Sequence, residues 1–137
     1  MEREQLNYLL QQVGIEQLRS LSDGVEKQAE VELIRKPTSQ TLLVPIHDPI
    51  NQGSFISGEI LVTSALVQVN TINGWSMVMD DNPETAVSVA ILDGAFAAGI
   101  LREEIQQLAL RGKENIEKEQ AELNSRVHAT RVAFDLL

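Results

Sequence analysis

The sequence predicts an α+β fold: short N-terminal helices, a four-stranded antiparallel meander, one strongly apolar helix and a C-terminal helix. Three observations predict it. Leucines and valines recur at helical spacing over residues 2–25, the stripe an amphipathic helix buries. Residues 29–79 hold β-branched runs punctuated by Pro37, Pro49 and Asn73-Gly74, which is the grammar of strands and turns. Residues 83–134 return to helical patterns, opening with the run ETAVSVAILDGAFAAGIL from Glu84 to Leu101.

In chain order, Leu6, Leu9, Leu10 and Val13 form one helical set and Leu18, Leu21 and Val25 a second. Gly14 between them predicts two short helices, and Ser22-Asp23-Gly24 predicts the end of the second. Four strands are expected: Ala29–Lys36, Gln40–His47, Glu59–Val69 and Gly74–Met79. Pro45 has no N–H for a ladder, which makes the second strand an edge. Glu59–Val69 is apolar on both faces, as befits a central strand. Asn73-Gly74 supplies the positive φ of a two-residue hairpin turn into the fourth.

Asn82, Pro83 and Glu84 read as the N-cap, first residue and first-turn acid of the apolar helix. That helix is apolar on every side except at Ser88 and Asp93, so it must be covered all round. In 137 residues the covering shell is thin, and the expectation is that another protein supplies part of it. Arg111-Gly112 predicts a stop or kink before a last helix, Lys113–Phe134, carrying a sparse apolar stripe and an i,i+4 pair, Glu114/Lys118. Length and composition indicate a single domain over 1–137.

Composition excludes several functions. The net charge is −9, with 11 basic and 20 acidic residues, and no basic cluster exceeds Arg35-Lys36, so nucleic-acid binding is disfavoured. With no cysteine, disulfides, thiolate catalysis and Cys-ligated metals are impossible within this chain. The opening MEREQLNYLL lacks the features of a signal peptide, and the apolar run falls short of the ~20 residues that span a bilayer. A cytoplasmic location with no membrane partner is expected.

The two histidines, His47 and His128, lie far apart, and no HExxH or paired-His spacing indicates zinc. His47-Asp48 could be a base with an orienting carboxylate, but adjacent residues of a strand point to opposite faces, which favours a solvent-facing histidine at a strand end. Asp80, Asp81 and Asn82 could hold a hard cation, but helix capping explains their spacing without one. Asp93, mid-helix among apolar neighbours, needs partners or a raised pKa: it bonds a group within the domain, anchors an interface with another chain, or serves as a general acid. Trp75, the sole tryptophan, is a core residue, stacks on a nucleobase or packs at a partner surface. No GxGxxG, GxxxxGKS or GxSxG is present. The residues therefore outline no self-sufficient active site; an alternative is a small-molecule pocket or enzyme around Asp93, His47 and Trp75.

Several segments together carry a family resemblance: VELIR at Val31–Arg35, FISGEILVTSALVQV at Phe55–Val69, GWSMV at Gly74–Val78, Ala90-Ile91-Leu92-Asp93, and Ala129-Thr130-Arg131-Val132 with Phe134. The pattern F-x-x-G-[DE]-x-x-x-T-x-A-x-V is met by Phe55, Gly58, Glu59, Thr63, Ala65 and Val67. In these the chain resembles the G subunit of the phosphonate carbon–phosphorus lyase system, the PhnG family, from about Leu18 onward.

The resemblance implies a cytoplasmic core complex of G, H, I and J chains, working with an ATPase-like L chain. In it a phosphonate displaces adenine from ATP to give a ribose 1-phosphonate 5-triphosphate. Nucleosidase-type chemistry falls to the I chain and the iron–sulfur cluster to the J chain. The G chain is then a supporting partner with no cofactor of its own, and self-association is compatible with that role. The candidate partner or ligand residues are Glu59, Trp75, Asp93, Arg131 and His47. The chain departs from the family pattern at Thr38 and Gln40 after the first strand, at His47 in place of an arginine, and over Pro49-Ile50-Asn51-Gln52. It departs again at Asp80-Asp81-Asn82 and at Ala133.

Overall fold

The structure is a computed structural model that describes residues 1–48 and 53–135, with side chains described over 1–43 and 58–130. Helices α1 (Arg3–Leu10) and α2 (Ile15–Gln28) precede strands β1 (Val31–Asp48), β2 (Gly53–Val69) and β3 (Ile72–Met79). Helices α3 (Pro83–Ala98) and α4 (Arg102–Asp135) follow. The sheet is antiparallel in the order β1-β2-β3, so the α+β class and the central position of β2 are as expected. Pro49-Ile50-Asn51-Gln52 lie outside the described residues.

The sheet has three strands, not four, because the two expected N-terminal strands are one. β1 runs through Pro37 with register shifts between Leu33 and Arg35 and again between Arg35 and Thr38. A bulge absorbs the missing N–H of proline without reversing the chain. The β2–β3 turn also differs from expectation. Val69 pairs with Ile72, so the turn is Asn70-Thr71, with Asn70 at φ 55°. Asn73 and Gly74 are already in the strand.

Gly74 has a packing role instead. A Cβ there would collide with the Ala90 carbonyl and lie 2.7 Å from Gly94 N, while a Cβ on Gly94 would meet Val69 Cγ2 at 2.8 Å. Helix α3 thus crosses β3 backbone to backbone at two glycines, closer than any larger residue permits. Val67, Val69, Val78, Val89, Ala90 and Leu92 close the core around this crossing.

The caps of α3 follow the sequence. Asn82 accepts from the Thr85 N–H at 3.4 Å, and Pro83 occupies the first turn. At the other end Gly99 takes φ 79°; its N–H donates to Phe96 O and that of Ile100 to Ala95 O. This is the Schellman pattern that satisfies the last carbonyls.

The expectation that another protein must complete the cover of α3 is not met: every residue from Thr85 to Phe96 except half-buried Val87 is buried within this chain. The sheet lies on one side of α3, α2 on another, and α1 and α4 on the rest.

Two further expectations fail for a common reason. α2 continues past Ser22-Asp23-Gly24 to Gln28 because Val25 is fully buried in the core, and tertiary burial outweighs the propensity of one glycine. α4 runs straight through Gly112; the break comes earlier, at Gly99 to Leu101. A Cβ on Gly112 would clash with the Leu9 carbonyl, so that glycine lets α4 cross α1. The ion pair on α4 is Glu122–Arg126 at 3.9 Å rather than Glu114/Lys118, among the described residues.

Candidate functional site

Strand β3 is an edge strand, and edges expose unpaired backbone groups. Here α1 satisfies them with side chains. Arg3, Asn7 and Gln11 are spaced four residues apart, about 6 Å along a helix. Alternate residues of a strand lie about 6.8 Å apart, so the two rows stay in step. The Arg3 guanidinium donates to Asn73 O at 2.7 Å. Asn7 donates through Nδ2 to Trp75 O at 2.8 Å and accepts from the Met77 N–H at 3.3 Å. Gln11 donates to Met77 O at 2.9 Å and accepts from the Met79 N–H at 3.1 Å. In effect α1 supplies the β3 edge with a surrogate strand built from amides.

Asp93 completes this row from α3. Its Oδ2 accepts from the Trp75 N–H at 2.9 Å. Arg3 clamps the carboxylate from the other side, Nε to Oδ1 at 3.0 Å and Nη2 to Oδ2 at 2.7 Å. The hydrogen bond to Asp93 holds the Arg3 guanidinium above its ordinary pKa, against a smaller desolvation effect. Asp93 is 3% exposed, and this intramolecular ladder resolves its need for a partner. No buried side-chain polar atom lacks a hydrogen bond among the described residues.

The Asp80-Asp81-Asn82 cluster also serves the backbone. Thr63 Oγ1 donates to Asp80 O at 2.6 Å and accepts from the Asn82 N–H at 3.0 Å, while Ser39 donates to Asp81 Oδ1 at 2.6 Å. Among the described residues no three His, Asp or Glu side chains come close enough to hold a metal.

The two sheet faces differ. Gly74, Ser76 and Val78 point at α3 and are buried. The alternate residues share the other face with their β2 partners: Trp75 opposite Leu66, Met77 opposite Ser64, Met79 opposite Val62. There Trp75 is 42% and Met79 54% exposed, so the tryptophan is a surface residue rather than core. Beyond Val62 the sheet loses β3, and β1 and β2 continue as a two-stranded ribbon exposing Leu42, Leu43 and Leu61. Such a ribbon is marginal in isolation. Leu42 lies on one face of the ribbon and Leu43 and Leu61 on the other, so the exposed leucines are divided between its two sides.

The sequence candidates separate onto different parts of the fold. Asp93 and Trp75 both border an open depression of about 330 Å³ with Arg3, Asn7 and Asn73, but the carboxylate oxygens are already occupied. Glu59 is exposed on the ribbon, opposite Leu43. His47 pairs with Ser54 in the ribbon and Arg131 lies near the end of α4; both side chains fall outside the described residues, as does that of Ala133. Thr38 and Gln40 are exposed on β1. Sequence reasoning missed the Arg3-Asn7-Gln11 row, although its i, i+4, i+8 spacing of long polar side chains was in plain view.

The fold and site define an α+β protein with one sheet edge sealed by its own N-terminal helix and with Trp75 and Met79 exposed on the sheet face away from α3. Residues 1–137 match the family described as Phosphonate metabolism protein PhnG. With the match covering its whole length, the chain belongs to the PhnG family. No individual protein of curated function matches it. No described helix is long and apolar enough to cross a membrane.

Proposed function

We propose that this chain is an accessory, non-catalytic subunit of a cytoplasmic carbon–phosphorus lyase core complex. It docks H-, I- and J-type subunits and supports formation of ribose 1-phosphonate 5-triphosphate from ATP and an alkylphosphonate. The ATP site and the iron–sulfur cluster belong to other subunits. The observation that carries the reading is the exposure of Trp75 and Met79, with half-buried Met77 between them on one sheet face, in a chain of this family. An aromatic and two methionines on one sheet face are residue types enriched at interface centres. Asp93, the one buried carboxylate among the described residues, is engaged by Arg3 and Trp75 and has no oxygen free for acid–base work.

Co-expression with I- and H-type subunits tests the proposal. Stable co-purification is expected, together with adenine release from ATP and methylphosphonate only when all the subunits and the L-type chain are present. Adenine release by the purified chain alone, or failure to associate with any lyase subunit, refutes it.

A further inference from the structure

We propose that the outer half of α4 pairs antiparallel with the same segment of a second copy of this chain. The proposal does not depend on whether the chain docks on lyase subunits. α4 is 34 residues long, about 50 Å at 1.5 Å per residue. Its first half is anchored by Ile105, Leu108 and Ala109 and ends at half-buried Ile116. From Glu117 to Thr130 every residue is exposed, with Leu123 at 59% and Val127 at 56%. A helix projecting this far without cover gains nothing from burial, which is the main source of helical stability in proteins.

The exposed stretch carries a seam. Ile116, Gln120, Leu123, Val127 and Thr130 follow one another at intervals of four, three, four and three residues, the spacing of a two-helix coiled coil. The seam is apolar at three of five positions, Ile116 also packing in part on this chain's own core, with Gln120 and Thr130 as the polar members that limit its strength and mark its register.

The flanking charges select the occupant. Glu119 and Arg126 lie seven residues apart on the same side of the seam, with Glu117 and Asn124 on the other. The acid therefore sits toward the body of the protein and the base toward the tip. A second copy laid antiparallel, Ile116 against Val127, sets Glu119 of each copy beside Arg126 of the other. A parallel copy meets no such pair. The interface is isologous, so one patch serves both partners. Among the described residues Arg126 pairs only with Glu122, at 3.9 Å and with both side chains well exposed, a weak contact. Two short helical segments bury little area, which places the dimer among weak, concentration-dependent associations.

Sedimentation equilibrium of the full chain, from low micromolar to near-millimolar concentration, tests this. A monomer–dimer equilibrium is expected. Glu119→Arg or Arg126→Glu alone weakens it about tenfold, the order of two pairs turned repulsive, and the double exchange restores it to within about threefold. Because the chain has no cysteine, an oxidised mixture of Glu119→Cys and Arg126→Cys chains should yield the mixed disulfide in preference to either homodisulfide. Thermal melts of these surface variants should match the parent and so exclude misfolding. A chain that stays monomeric at every concentration, charge reversals without effect, a double exchange that fails to rescue, or homodisulfides formed as readily as the mixed one each overturn the proposal.

Discussion

Helix α3 and the outer half of α4 are opposites in a way that hydrophobicity alone misrepresents. α3 is apolar all round, yet α1, α2, α4 and the sheet enclose it. The outer half of α4 is mostly polar, yet its few apolar side chains have no cover within the described chain. A sequence shows how much apolar surface a segment owns; the topology shows whether that surface is spent inside the molecule. In this protein the surface left for partners is on the mixed segments: the sheet face of Trp75 and Met79, the β1–β2 ribbon and the tail of α4.

The sharpest break of this contrast strikes α3. Gly74→Val pushes its side chain into the Ala90 carbonyl and should cost about 3 kcal/mol or more, seen as loss of the cooperative thermal transition. The matched change in α4, Leu123→Glu, lies on an exposed surface and should shift stability by no more than about 0.5 kcal/mol. If Leu123→Glu melts the domain, the tail is not the uncovered segment described here.

Next in size is the Asp93 clamp. Asp93→Ala leaves the Trp75 N–H without an acceptor and frees Arg3, and about 2 kcal/mol of destabilisation is expected in urea unfolding. Its pH signature has a definite sign. Arg3 has a raised pKa in the folded state, so its contribution is fully present below the ordinary arginine range and is lost only as pH climbs through the raised value. Arg3 itself should therefore contribute no pH dependence to stability through neutral and mildly alkaline solution.

The surrogate strand is the third test. Asn7→Leu with Gln11→Leu keeps the helix but strips four hydrogen bonds from the β3 edge. About 1 kcal/mol per residue should be lost, and the bared edge should aggregate, measurable by light scattering on warming. Trp75→Ser, on the open face, should cost the isolated domain under about 1 kcal/mol while weakening capture of lyase subunits about tenfold or more, read by co-purification. Smallest of all is Arg19→Ala, which removes an exposed 2.6 Å pair with Glu84 and should move the melting midpoint by an amount equivalent to about 0.5 kcal/mol at most.

The two edges of the sheet show how much of this was legible in advance. The β1 edge is guarded by Pro37 and Pro45, each beside a register shift, and Pro45 alone announced it as an edge. The β3 edge is guarded by side chains from a helix 60 residues and more away in sequence, which no local pattern contains. Asp93 was singled out because an isolated carboxylate in an apolar helix must find partners; that the partners would be Arg3 and a backbone N–H depended on where α1 docks. The Asn73-Gly74 pair misled because glycine in a turn and glycine in a close crossing have the same letter. Gly112 misled in the same way.

What the sequence determined by itself was what local physics controls: α+β character, the division of the N-terminal helices at Gly14, a central β2, and the caps of α3 at Asn82. Each depends on periodicity, backbone freedom or a hydrogen bond reaching a few residues. Only the tertiary structure decided that two strands fuse into β1, that α4 runs unbroken through Gly112, that α1 stands in for a fourth strand, and that the most apolar helix needs no outside cover. These depend on contacts between segments distant in the chain, where the winning arrangement is the one that buries the most surface while leaving no backbone group unpaired.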